Sequence, residues 1–547
     1  MPVRKREEVQ EVLRKMKNYR SHIIYRISLP VLSACLLILS FPGFNLWLLA
    51  WIGLVPMLFA IENKKPYHAF LISYLIGALF FLGTVYWLIH VTLPGMIIVV
   101  LYLALYFGIF GLICNYYLQT TNDKRRTTKY YLLPIIPAAW VALEFLRAHF
   151  ITGFGWNLLG YSQSSILPVI QIADMTGVYG VSFLVVMVNS AIYLTIREVR
   201  KKNYHFIPLA IAAAVLFITC YYGIFRTRNI FTGEKLRVAV VQGNIPQVKK
   251  WDLSFREDIL NKYERLTRQV ACQYPELIIW PETSVPGFLE SEPELLGRVT
   301  KLAKDIGAPL LVGAPREDPE KKNAYYNSTF LVNADGRVAG RYDKMHLVPF
   351  GEYVPLRALL GFVENFAPSP IGDFTSGKDH TVFNFFISRS AKGQGQAWRL
   401  TKRIKFSTLI CFEDIFPGLA GEFARRDALF LVNMTNDAWF GRTSAAYQHV
   451  QNSVFRAVET RLNVIRAANT GVSCFINQKG EITGMVESGG QSMFVDGFCV
   501  GEIILTRART FYTLYGDLFA YLCLLAAIAS LAAVRLKISL PKKRMLR

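Results

Sequence analysis

The sequence predicts a two-part protein: an α-helical polytopic membrane bundle joined to an α/β domain of alternating strands and helices. Three observations lead there. Of the 547 residues, 52% are hydrophobic, with a mean hydropathy of +0.29. That is too apolar for an ordinary soluble chain and too polar for one wholly in lipid. The apolar residues are also segregated, in long stretches over residues 27–225 and again near 518–534, with short β-branched runs between. Finally, much of the net charge of +22 sits in clusters beside the long apolar stretches. Basic clusters there are a membrane-topology signal, and no nucleic-acid-binding motif accompanies them, so no nucleic-acid partner is expected.

A membrane helix needs about 20 mainly apolar residues. The candidates are Ile27–Leu39, Leu46–Ile61, Ala69–Ile89, Met96–Leu118, Tyr131–Phe145, Val178–Ile196, Phe206–Phe225 and Leu518–Val534. The first, second and fifth are short or interrupted by proline; Pro30, Pro42, Pro134 and Pro137 fall near helix ends, where proline is tolerated. Lys and Arg cluster before the first span and after the second, fourth, sixth and eighth, while Pro42–Asn45 and His90–Gly95 carry none. The positive-inside rule then places both termini in the cytoplasm and residues 226–511 on the far side. Glu144 and Arg147, at the end of the fifth span, read as snorkelling side chains. The aromatic, glycine-rich loop Gly153–Gln163 reads as an interfacial segment or as part of an aromatic belt.

From Leu236 onward, short apolar runs alternate with helical patterns, the signature of an α/β layer structure. Strands are expected at Leu236–Gln242, Glu276–Trp280, Pro309–Ala314, Tyr326–Asn333, Arg337–Tyr342, Phe406–Cys411, Ala428–Met434, Asn463–Ala468 and Ser473–Asn477. Helices are expected near 255–271, 294–306 and 445–460, with another after Cys411. Ser388–Gln396 is small and polar and reads as a flexible excursion. The eight cysteines form no CxxC or Cys/His spacing, so neither a metal site nor a disulfide framework is expected.

Three strand ends carry chemistry. Glu282 follows ELIIW, Lys344 follows a hairpin strand, and Cys411 ends the run IKFSTLIC, with Glu413 two residues on. In α/β sheets ligands gather at strand C-terminal ends, and a thiol there is a candidate nucleophile. A solvated glutamate, a surface lysine and a packed core cysteine are the plain alternatives. All three residues occupy the same kind of position, which favours chemistry.

WPET, YDKMHLVPFGEYVP and ICFEDIF resemble the three motifs of the nitrilase superfamily, and Asn436–Gly441 (NDAWFG) extends the match. With seven spans before the domain and one after, and with GYSQ and VQGNIPQVKKW present, the whole chain resembles the bacterial apolipoprotein N-acyltransferases. The resemblance implies an αββα sandwich at 226–511, a membrane domain at 1–225, and a final span with a basic cytoplasmic tail at 512–547. It implies a Glu282–Lys344–Cys411 triad, support from Glu352, Glu413 and Phe412, and substrate contact by Trp251. Trp439 and Phe440, with Phe362 and Phe366, are candidates for a lid or lipid entry, or else simply core. Phe412 departs from the family, which commonly has tyrosine there.

By the same resemblance, Cys411 takes an acyl chain from a membrane phospholipid and passes it to the amino group of a diacylated apolipoprotein, without a cofactor. The enzyme then resides in the bacterial cytoplasmic (inner) membrane with its catalytic domain outside. Two alternatives use the same sequence: a membrane-tethered nitrilase-like hydrolase in which water attacks the thioester, and a catalytically silent lipoprotein-binding module. Both substrates are lipid-anchored, so a site away from the bilayer would have to extract acyl chains at about 0.8 kcal/mol per CH₂.

Overall fold

The structure, a computed structural model, describes residues 27–120, 130–229, 231–250, 252–321, 324–366, 373–393, 396–507 and 509–539. Trp251 and the basic clusters before Ile27 and at Lys124–Lys129 lie outside these residues, as does the side chain of Phe366.

Among the described residues, five helices are long and apolar enough to cross a membrane: Pro66–Thr84, Leu93–Gln119, Leu132–His149, Val178–Arg200 and Ile207–Arg228. Three shorter apolar helices, Ile27–Leu39, Trp47–Ile61 and Leu518–Ala533, occupy the remaining predicted spans. The second is the least regular, a 3₁₀ turn at Trp47–Trp51 followed by a helix at Val55–Ile61. Pro137 lies inside the fifth predicted span, which nevertheless continues to His149.

Twelve strands form two six-stranded sheets. The first has the order β12-β1-β2-β3-β4-β5, from β1 (Glu234–Gln242), β2 (Leu277–Ile279), β3 (Leu310–Glu317), β4 (Tyr325–Val332), β5 (Val338–Asp343) and β12 (Gly497–Leu505). The second has the order β11-β10-β9-β8-β7-β6, from β6 (Phe383–Gly393), β7 (Gln396–Ile410), β8 (Phe430–Thr435), β9 (Asn463–Ala468), β10 (Cys474–Ile476) and β11 (Ile482–Met485). Each has a parallel centre, β1-β2-β3 or β7-β8-β9, flanked by antiparallel strands.

Side chains alternate across a strand, and this divides the first sheet's residues between two cores. Leu236, Val238, Val240, Leu277 and Ile279 join the core shared with the second sheet. Ala239, Val241, Ile278 and Trp280 face the helices Arg256–Ala271 and Pro293–Ile306. The second sheet is covered by Pro417–Arg425 and Ala445–Thr460, completing the αββα sandwich. Of the sixteen residues in Ala445–Thr460, all but Tyr447 are buried, because the helix lies between that sheet and the membrane bundle.

Three expectations are corrected. Ser388–Gln396 is not a loose excursion: Ser388 pairs with Thr401 and Gly393 with Gln396 in an extended β6–β7 hairpin. Glu144 and Arg147 do not snorkel. Both are buried: Glu144 Oε1 accepts from the Leu159 amide at 2.7 Å, and Arg147 donates to the carbonyls of Trp156 (2.8 Å) and Asn157 (3.3 Å). Those bonds fold the Gly153–Gln163 loop inward, so Trp156–Gln163 is buried against the sandwich instead of lying at a lipid interface. A buried loop needs partners for its backbone polar groups, and these two side chains supply three.

Candidate active site

Glu282 and Cys411 follow β2 and β7, both central parallel strands, and Lys344 follows β5, so all three converge where the sheet ends meet. All three are buried. The Lys344 ammonium is 2.9 Å from both oxygens of Glu352 and 3.5 Å from Glu282 Oε1. Asn327 on β4 spans the two acids, donating from Nδ2 to Glu282 Oε1 at 2.7 Å and to Glu352 Oε1 at 2.9 Å. Burial works against the Lys344 charge, but Glu352 and then Glu282 outweigh it, so its pKa rises and the group stays an ammonium. Burial, followed by the Glu282 charge, drives the Cys411 thiol well above the ordinary range, with Lys344 opposing. The Cys411 side chain therefore rests as a thiol, and chemistry at its sulfur would need a neighbouring base to take the proton.

Cys411 sits at φ 52°, the left-handed region that a side chain occupies at a cost on the order of 1–3 kcal/mol. The surroundings hold it there. Its carbonyl accepts from Asn433 Nδ2 at 3.0 Å and faces His449 Nε2 at 3.2 Å, while the preceding amide of Ile410 donates to Glu413 Oε2 at 2.7 Å. The other oxygen of Glu413 accepts from Tyr342 Oη (2.8 Å) and the amides of Met345 (2.7 Å) and His346 (3.1 Å). Glu413 thus ties the Cys411 turn to the segment carrying Lys344. Burial raises its pKa to about 7 against those donors.

Gly313 on β3 backs Glu282. A Cβ there would lie 2.6 Å from the Thr283 amide nitrogen, 2.7 Å from the Pro281 carbonyl and 2.9 Å from Glu282 Cα, all main-chain atoms. Gly313→Ala is therefore expected to displace Glu282 and, if Glu282 serves Cys411 as base, to slow covalent labelling of Cys411 about 100-fold. A rate within threefold of wild type in single-turnover labelling would show that the strand end yields without cost.

Sequence reasoning missed a buried network beneath Cys411. His449 is held between Asp437 (Nδ1–Oδ1, 2.9 Å) and Asp414 (Nε2–Oδ1, 3.0 Å), and Arg466 bonds Asp414 at 3.0 Å. Burial disfavours the imidazolium and Arg466 opposes it, but Asp414 and Asp437 prevail and raise its pKa to about 9. An ordinary histidine titrates near 6.5, so folding gains a proton-linked contribution that is complete below pH ~6.5 and lost as pH rises through about 9. The full contribution is about 3 kcal/mol. Melting temperatures measured at pH 6 and pH 9.5 should converge for His449→Gln relative to wild type; an identical pH dependence in both would refute the assignment.

The wall beside Cys411 comes from the membrane bundle. The Phe412 ring stacks on Trp156 (centroids 6.4 Å, 14°) and meets Phe154 at 6.4 Å and Phe416 at 5.5 Å. Trp156 and Trp87 both donate to Gln448 Oε1, at 2.9 and 3.0 Å, and Trp87 contacts Phe440 at 4.5 Å. These rings border an apolar cavity of ≈ 220 Å³ that runs along the Leu93–Thr120 helix past Val99 and Tyr102, with Pro349 and Phe350 opposite. Phe440 and Phe412 line it; Trp439 does not, being half-buried against the core, and Phe362 is half-exposed away from it. The hydroxyl that a tyrosine would carry at position 412 is replaced by contacts among rings, in keeping with the apolar lining.

Residues 33–191 match the family described as the apolipoprotein N-acyltransferase N-terminal domain, and residues 237–500 match the carbon-nitrogen hydrolase family. The chain is 39% identical to an apolipoprotein N-acyltransferase of Geobacter metallireducens over 93% of its own length and 95% of that protein's. It is 32% identical to one of Chlorobaculum tepidum over 93% and 96%. Among solved structures it is similar to Nit3 of Saccharomyces cerevisiae, a member of branch 10 of the nitrilase superfamily, at 17% identity and a TM-score of 0.36, covering 57% of this chain and 97% of that one. The two family matches, one to each part of the chain, and a near full-length match to apolipoprotein N-acyltransferases place this chain in the apolipoprotein N-acyltransferase family.

Proposed function

We propose that the protein is an acyltransferase that moves an acyl chain from a membrane phospholipid to the N-terminal amino group of a diacylated apolipoprotein, through a thioester on Cys411. The observation that carries this reading is the apolar cavity along a membrane helix whose lining includes Phe412, the residue next to the thiol. A hydrolase of small polar amides has no use for such a chamber, whereas an acyl chain is stabilised there by about 0.8 kcal/mol per buried CH₂.

In the first half-reaction Glu282 takes the Cys411 proton as sulfur attacks the ester carbonyl. Lys344 donates to the oxyanion. The C–O bond breaks, Glu282 returns the proton to the glycerol oxygen, and lysophospholipid leaves. In the second, the neutral amine attacks the thioester and gives a proton to Glu282. The C–S bond then breaks and the thiol is restored. Glu352 holds Lys344, and Glu413 holds the Cys411 turn.

Residues 1–225 anchor the enzyme, 226–511 form the catalytic part outside the cytoplasm, and 512–547 return the chain to the cytoplasmic side of the inner membrane. Charge placement in the sequence supports that orientation. A reporter fused after Arg547 is expected to behave as cytoplasmic, and one inserted at Ser390 as external; both on one side would overturn it. Purified protein given phospholipid and a diacylated lipopeptide should yield the N-acyl peptide by mass spectrometry. Free fatty acid without N-acyl product would instead establish the hydrolase reading.

A further inference from the structure

Lys250 is a second lysine in the active site. It closes a short helical turn, Gln247–Lys250, whose loop is tied to the nucleophile's sheet. Asn436 donates to Gln247 Oε1 at 2.8 Å, and Asn469 exchanges bonds with the amide (2.9 Å) and carbonyl (2.7 Å) of Ile245. The Lys250 side chain is buried, and its ammonium donates to the main-chain carbonyl of Glu282 at 2.8 Å. The groups that act on its charge are Glu282 and Cys411.

The charge balance gives this placement its meaning. Lys344 is shared by two carboxylates, Glu352 and Glu282, so that trio carries one excess negative charge. We propose that Lys250 is a positioning residue for proton transfer: its ammonium pins the main chain of Glu282 and balances the excess negative charge of the Glu352–Lys344–Glu282 trio beside Cys411. Gly313 packs against that same stretch of main chain. The base is thus fixed from two sides.

Burial lowers the pKa of Lys250 to about 8, with Glu282 and Cys411 opposing that shift. Above that pH the positive charge is lost, and with it the charge balance at Glu282, while the neutral amine can still donate to the carbonyl. The inference rests on the acyl-transfer reading, and the experiment separates the two. Acyl-enzyme formation from labelled phospholipid is followed in single turnovers between pH 6 and 10 on the full-length protein, for wild type, Lys250→Met and Lys250→Arg. Wild type is expected to slow above pH ~8. Lys250→Met should be about 100-fold slower at pH 7 and lack that alkaline limb. Lys250→Arg, which stays charged, should retain rate to higher pH than wild type.

Wild-type rates and an unchanged profile in Lys250→Met would overturn the proposal. So would a loss that is uniform across pH with the limb retained, since a packing role alone behaves that way. Should Lys250→Met fail to fold, the position of the limb in Lys250→Arg decides. Absence of any acyl-enzyme in wild type would instead refute the acyl-transfer reading itself.

Discussion

Cys411→Ala is expected to abolish the covalent acyl-enzyme formed from labelled phospholipid, and with it all N-acylation. Sulfur is placed at a strained φ of 52° by bonds to its own carbonyl and to the preceding amide, an investment with no purpose in a core cysteine. Burial and Glu282 keep the thiol protonated at rest, so reaction depends on transfer to that acid as the acyl carbonyl arrives. Serine in its place keeps the shape but has a far less acidic hydroxyl, so Cys411→Ser should also lack turnover while retaining a wild-type melting temperature. In-gel detection of the labelled chain, with and without hydroxylamine to cleave thioesters, measures this. Hydroxylamine-sensitive label at wild-type level in Cys411→Ala would place the nucleophile elsewhere.

Lys344→Met should be nearly as severe, for two separable reasons. Loss of an oxyanion donor costs about 2.7–4 kcal/mol of transition-state stabilisation, a 100- to 1,000-fold slower acylation. The ammonium is also the direct ionic partner of Glu352 and Glu282, both buried or nearly so, and breaking a buried pair destabilises by about 3–5 kcal/mol. Lys344→Met should therefore lower the melting temperature as well as the rate. Lys344→Met combined with Glu352→Gln should recover stability without recovering rate, because one orphaned charge is gone while the oxyanion still lacks its donor. Recovery of both would mean that Lys344 acts only on Glu352.

Much of the sandwich was legible locally. Asn463–Ala468 and Ala445–Thr460 have their predicted limits, and most other predicted strands differ by a few residues at their ends. The strands missed were β6, the first half of β7, β11 and β12. β12 pairs with β1 along its whole length, Glu234 opposite Leu505 through Gln242 opposite Gly497. Its own pattern, interrupted by Gly497 and Gly501, is weak, and pairing with a strand far away in sequence stabilises it. Glu282, Lys344, Cys411, Glu352 and Glu413 stood out because each lies at a strand end or within a motif. Asn327 lies inside a strand and His449 inside a helix, where a polar residue carries no mark of chemistry. Lys250 had one available signal, its place beside Trp251 in VQGNIPQVKKW.

By itself the sequence determined the division into apolar spans and an α/β domain, and it put Glu282, Lys344 and Cys411 at three strand ends. Hydropathy and periodicities of 2.0 and 3.6 are properties of neighbouring residues, so they can be read without the fold. Only the tertiary structure decided that a membrane-side loop, turned inward by Glu144 and Arg147, becomes the wall against Phe412. It alone decided that Lys250 meets the carbonyl of Glu282 and that His449 lies under Cys411. Those contacts join residues tens to hundreds of positions apart, and the pairing of sheets and the packing of the sandwich on the bundle bring them together.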